Sequence, residues 1–289
     1  MVTLTAVFIT MRPRQWVKNL LVVAAPLAAG KIFFPSVALN TAVAFVSFAL
    51  MSSAVYCVND VADAEADRAH PSKRFRPVAS GALSAGQALI AAAVLAAASL
   101  ALAATTRWAL PTLLGIYFVL QVLYAYRLKH EPVIDLAVVT AGFLMRAVAG
   151  GLAAHLPISQ WFLLVAGFGS LFMVSGKRYS ELHTLGSEAG TRRSLVGYTA
   201  TYLRFVWSAA AAVTLVSYSL WAFEQEGTSV FPWHTASIAA FTLGMLRYAV
   251  DIDLGAAASP EDIVYADRWL QVVGVIWLVL VALGVLNVG

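Results

Sequence analysis

Asp60, Asp63 and Asp67 stand three and seven residues apart in the stretch NDVADAEAD, residues 59–67. On a helix this spacing places three carboxylates on one face, with Asn59 one turn before Asp63. Carboxylates in one stripe repel each other unless a cation lies between them. Hard oxygen donors, with no His or Cys at ligand spacing, select magnesium, with manganese or calcium as the alternatives. Magnesium keeps several waters and combines a few carboxylates with substrate phosphates. A basic run, Lys73, Arg74 and Arg76, follows at once. Cations so placed suit phosphate oxygens, and Arg offers a forked contact. The predicted chemistry is a metal-bridged pyrophosphate held at a surface. A solvated loop with scattered acids would account for the bases, but not for three acids in helical register. Glu65 lies off the stripe.

The elements that must carry these residues are apolar. The chain has 289 residues, 61% hydrophobic and 12% charged, far from a soluble globular composition. Apolar segments recur from end to end and predict an all-α polytopic membrane protein with nine transmembrane helices. The expected spans are Leu20 to Phe34, Ala38 to Val58, Gly86 to Thr105, Trp108 to Tyr126, Val133 to Ala154, Trp161 to Ser175, Tyr202 to Phe223, Trp233 to Val250 and Trp269 to Val288. They form one domain, 1–289, preceded by a short arm of about 18 residues. Lys31 and Arg107 fall on one side of this arrangement and Arg146 within a span; every other Lys and Arg falls on the opposite side. The positive-inside rule makes that side cytoplasmic and places the N-terminus there. The acids divide the same way, so one face is chemically equipped, as a cytoplasmic polar cap. The net charge of +4 is low for a nucleic-acid partner. The single Cys57 excludes an intrachain disulfide and reads as a packing residue. Small-residue helix faces permit a homo-oligomer without requiring one.

NDVADAEAD is similar to the NDxxDxxxD signature of the UbiA superfamily of intramembrane prenyltransferases. The nine spans and the polar cap fit as well, so the resemblance covers essentially the whole chain. It implies a nine-helix bundle that holds a pyrophosphate through magnesium at Asp60, Asp63 and Asp67 and a polyprenyl chain between helices. A second motif, usually DxxxD, reads here as KRYSE, with Lys177 and Glu181 where two aspartates would stand. Lysine removes a metal ligand and adds an anion ligand. The opening MRPRQWVKNLLVVAAPL and the block GFLMRAVAGG resemble one branch of the superfamily. Its members transfer phosphoribose from phosphoribosyl pyrophosphate to a polyprenyl phosphate such as decaprenyl phosphate. The implied product feeds arabinan synthesis in a cell wall, and the implied location is the plasma membrane with the active site cytoplasmic. The alternative is transfer of a prenyl chain from a diphosphate to an aromatic acceptor, which predicts two aspartate motifs. A transporter would place its acids near mid-membrane.

Further residues take roles within this reading. Lys177 and Arg178, or Lys73 and Arg76, hold the donor's 5-phosphate. Arg14 and Lys18 meet the lipid phosphate where the first span begins. Tyr179 touches a phosphate or sugar. Arg146, deep in its span, is a substrate ligand or a structural arginine on equal terms. Asp135 is expected to cap its helix, and Asp251, Asp253 and Asp267 to sit in a solvated loop. Ser259-Pro260-Glu261-Asp262 is a helix-start signal. The KRYSE residues are expected in a loop from Ser175 to Ser194.

Overall fold

Pro35 opens α3 (Pro35–Ala62), the longest helix among the described residues, where its fixed φ and missing N–H cost nothing. The computed structural model describes residues 2–185, 195, 197–225, 230–257, 263 and 266–286, and every regular element among them is helical. Before α3 come α1 (Val2–Met11), a 3₁₀ segment (Pro13–Val23) and the short α2 (Ala24–Ala28). After it come α4 (Ala64–Ala69), a 3₁₀ turn (Lys73–Phe75), α5 (Ala85–Ala103), α6 (Ala109–Tyr126) and a second 3₁₀ turn (Leu128–His130). The remaining helices are α7 (Ile134–Ala153), α8 (Gln160–Leu185), α9 (Ala200–Glu224), α10 (Trp233–Asp253) and α11 (Arg268–Val285).

Two units result. The first comprises Met1–Lys129 and Met145–Pro157, the second His130–Leu144 and Ile158–Gly289. The chain of α7 therefore begins in the second unit and ends in the first. In the first, α3 packs against α5 and α6. The small residues Ala88, Ala92, Ser99 and Ala103 form one buried stripe along α5. Ser99 also donates to the Ser47 carbonyl at 2.7 Å, within the contact between α5 and α3. Phe48, Met51 and Val55 of α3 fill the core with Leu110, Leu114 and Tyr117 of α6 and Ala149 and Ala153 of α7. The second unit packs α8 against α9 and α10 against α11, around Phe172, Leu203, Tyr248 and Ile252.

Among the described residues, six helices, α3, α5, α6, α7, α9 and α11, are long and apolar enough to cross a membrane. The protein is an integral membrane protein of several apolar helices. Two expectations need correction. The segment Leu20 to Phe34 is not one membrane helix: 3₁₀ winding gives way at Ala24 to a single α turn, then to turns before Pro35. In the arm before it, Val2–Met11 is helical and Ala6 packs with Val78, Leu83 and Ala88. The residues of KRYSE lie on α8, which continues through Leu185 rather than ending at Ser175. Residues 186–194 of that expected loop, and the Ser259–Asp262 helix start, lie outside the described residues.

Candidate active site

Asp60 lies in the last turn of α3 with 2% exposure, Asp63 forms the helix end, and Asp67 sits buried on α4. The Asp63 N–H still bonds the Asn59 carbonyl at 2.9 Å, and the Asp67 N–H the Asp63 carbonyl at 2.8 Å. Helical spacing thus survives the joint, but Asp63 at φ −97°, ψ 2° interrupts the stripe. Arg76 Nη1 bridges Asp67 at 2.6 Å and Asp60 at 3.6 Å. Asp60 also pairs with Arg12. Asp63 goes elsewhere, to Lys129. The three carboxylates therefore do not converge in one metal-holding cluster among the described residues, contrary to the expectation from spacing. Each has a base from a different part of the first unit.

The donor chemistry nonetheless fits a hard divalent cation. Asn59 Oδ1 is buried and accepts no hydrogen bond, an orphan acceptor next in sequence to Asp60. With the aspartates it makes an all-oxygen set of the kind magnesium takes.

Arg12 and Lys129 pair with these aspartates, and neither stands out in the sequence. Arg12 has φ 53°, ψ 61°, a left-handed conformation uncommon outside glycine. It turns the chain from α1 into the 3₁₀ segment and lies over the Tyr56 ring at 4.8 Å. An Arg before a Pro was the only available signal, and it does not name a partner. Arg14 is exposed and Lys18 half-buried on the 3₁₀ segment. Lys73 is half-buried on its own 3₁₀ turn.

Arg146 belongs to the first unit. Its Nε donates to Asn19 Oδ1 at 2.8 Å and its Nη2 to the Tyr117 hydroxyl at 2.9 Å. The guanidinium also lies over the Phe48 and Tyr117 rings at 5.3 and 5.0 Å.

The second unit holds a different cluster. Arg178 forks onto Asp135, Nε to Oδ2 at 3.0 Å and Nη2 to Oδ1 at 3.1 Å. Its Nη1 reaches Glu181 at 3.0 Å. Asp135 is 1% exposed and Glu181 6%. Asp135 was expected to cap its helix; it instead ties α7 to α8. Val133 enters α7 at φ 70°, strained for a β-branched residue. Its N–H donates to the Tyr198 hydroxyl at 2.8 Å. Burial raises the Tyr198 pKa, which keeps that oxygen protonated. Lys177 is half-buried and makes no ion pair among the described residues. Tyr179 donates to Asp253 at 3.2 Å and accepts from Arg204 at 2.6 Å. Asp253 and Asp267 are therefore not merely solvated: Asp267 caps α11 through the Trp269 and Leu270 N–H groups and pairs with Arg247.

Comparisons with known proteins agree with this architecture. A decaprenyl-phosphate phosphoribosyltransferase of Corynebacterium glutamicum is 49% identical over 283 residues, covering 95% of this chain and 85% of that protein. Its namesake from Mycobacterium tuberculosis is 48% identical over 279 residues, covering 95% and 92%. The solved UbiA homologue of Archaeoglobus fulgidus bound to GPP and Mg2+ shares the fold at a TM-score of 0.73 and 18% identity, over 98% of this chain and 99% of that one. The UbiA prenyltransferase family matches residues 20–260, and with the all-helical fold and the aspartate site this shows that the chain belongs to that family.

Proposed function

We propose that this protein transfers 5-phosphoribose from phosphoribosyl pyrophosphate to decaprenyl phosphate or a related polyprenyl phosphate, releasing pyrophosphate. The observation that carries the reading is near-half identity, across 95% of the chain, to two proteins named for that reaction. Lys177 supports it, as a half-buried cation where a second acidic motif would otherwise stand.

Asp60, Asp63 and Asp67, with Asn59 Oδ1, would hold magnesium, which when bound neutralises charge on the departing pyrophosphate. Arg76, Arg12 and Lys129 face the same carboxylates and turn their donors to phosphate oxygens. The lipid phosphate is already anionic and needs no strong base. Its oxygen forms the new bond to ribose C1 as the bond from C1 to pyrophosphate breaks, inverting C1 from α to β. Catalysis then rests on positioning and charge stabilisation. Lys177 takes the 5-phosphate, with Lys73 the alternative, and Tyr179 the sugar or its phosphate. Arg14 and Lys18 take the lipid phosphate. The Arg178 fork is filled by Asp135 and Glu181, so in this reading Arg178 fixes the helix that carries Lys177.

The same reading keeps nine membrane crossings, with the N-terminus and the site cytoplasmic. The 3₁₀ segment of 11 residues and the α2 helix of 5 together extend about 30 Å, because 3₁₀ winding rises ~2 Å per residue. That matches the hydrocarbon thickness of a bilayer.

The test incubates purified protein with labelled phosphoribosyl pyrophosphate, magnesium and decaprenyl phosphate. A lipid-soluble labelled product is expected. Its absence, with prenyl transfer from a prenyl diphosphate to an aromatic acceptor instead, overturns the assignment.

A further inference from the structure

We infer that Arg146 is a positioning residue: it sets the placement of the Pro13–Val23 segment, and through that segment the placement of Arg12 beside Asp60. Four elements of the first unit meet at its guanidinium. Asn19 comes from the 3₁₀ segment, Phe48 from α3, Tyr117 from α6, and Arg146 itself from α7. Arg146 is 8% exposed and Asn19 1%. It lies about 18 Å along α7 from Ile134, deep in a membrane helix, where a free-standing cation is costly. Here its donors and its flat faces are spent on the protein's own groups.

The contact with the 3₁₀ segment has a second rung. One turn beyond Arg146, Gly150 meets Val22, three residues beyond Asn19. A Cβ on Gly150 would run into the Val22 carbonyl oxygen and come within 3.1 Å of Pro26 Cδ. Residues i and i+4 share a face of an α-helix, and residues i and i+3 eclipse on a 3₁₀ helix. The two spacings match, so α7 and the segment are clasped along one line, a charged rung and a backbone rung. The other end of the segment is tied to α3. Trp16 Nε1 donates to Ser53 Oγ at 3.0 Å, and Ser53 Oγ lies 3.0 Å from the Met11 carbonyl. Arg12 lies between Met11 and Pro13, in its left-handed turn, with its side chain on Asp60. A shift of the segment along α7 would therefore move Arg12. A long 3₁₀ run is poorly self-supporting and needs such external ties.

The consequence for turnover rests on the donor site proposed above, whereas the placement of the segment does not. Spin labels at Val17→Cys on the segment and Ile90→Cys on α5, both exposed, report its position by pulsed electron paramagnetic resonance in the full chain. A second pair, Ile90→Cys and Ile116→Cys, reports α5 against α6. Arg146→Gln is expected to broaden or shift the first distance and leave the second alone. An unchanged first distance overturns the inference, and so does loosening of both pairs together. Arg146→Lys keeps the charge but not the fork, and is expected to behave like Arg146→Gln. Full retention by Lys would point to charge alone and overturn positioning. On transfer, Arg146→Gln should lower kcat/KM about 10–100-fold. In an Arg12→Gln background it should add less than about twofold, since its effect runs through Arg12. Additive losses overturn that route. Should Arg146→Gln fail to fold, Asn19→Ala cuts the same rung and takes the same distance test. A shifted segment together with donor binding indifferent to Arg12→Gln would uphold the positioning and reject the donor site.

Discussion

The two polar clusters pair acids with bases in different proportion. In the first unit three aspartates are each met by a separate base, Arg12, Arg76 or Lys129, drawn from three different turns. In the second unit two acids, Asp135 and Glu181, close on one arginine, which forks onto Asp135. A two-point fork between buried groups fixes geometry, and breaking it leaves a buried charge unbalanced. Single contacts to half-buried bases hold charge without fixing it. The first arrangement suits an exchange of partners when an anionic substrate arrives. The second suits a permanent strut. A charged residue in a substrate-binding motif thus need not face the substrate: within KRYSE, Arg178 is a strut and its neighbour Lys177 is the candidate ligand.

The largest effect expected is at the exchangeable cluster. Asp60→Asn and Asp63→Asn should each lower the transfer rate about 10²–10³-fold, the scale of removing a charge-stabilising group, with thermal stability kept. Near wild-type rates in the radiolabel assay would remove the carboxylates from the donor site. Next comes the strut. Asp135→Asn should destabilise the protein by about 3 kcal/mol, the lower end for a broken buried pair, since Glu181 still balances the charge. Thermal unfolding in detergent measures it, and a change in rate without a change in stability would erase the distinction between the clusters. Lys177→Ala should raise the donor KM about tenfold, as expected for a lost charged hydrogen bond, with little loss of stability. An unchanged KM would leave Lys177 no substrate role. The smallest effect serves as a scale. Ser84→Ala breaks the capping box with Gln87 at the start of α5, and should cost about 1 kcal/mol without touching the donor KM.

Much of this was legible in the residues. Hydropathy found seven of the eight long helices within a few residues of both ends, because in a bilayer the backbone must satisfy itself; the eighth, α8, begins where expected but runs ten residues further. Pro35, Ser84 and Thr199 mark helix starts by local chemistry alone. Other features were not legible. The 3₁₀ winding of Pro13–Val23 has no composition of its own, since its residues would pass for an α-helix. Arg12 is separated from Asp60 by 48 positions and Lys129 from Asp63 by 66, and no local spacing records such pairs. Arg146 was rightly singled out as costly in a membrane, but nothing in its surroundings in the chain names Asn19, 127 positions away.

The residues alone dictate an all-helical membrane protein, three aspartates in helical spacing and a lysine in place of an acid in KRYSE. These follow from short-range rules: apolar length, side-chain periodicity and charge. Only the tertiary structure decided which base serves which acid. It divided the aspartates between two partners of Arg76 and one of Lys129, turned Asp135 from a cap into half of a buried fork, and set Arg146 against a distant asparagine. The reason is physical: the strength of a charge contact depends on distance and burial, and both are set by packing between segments far apart in the chain.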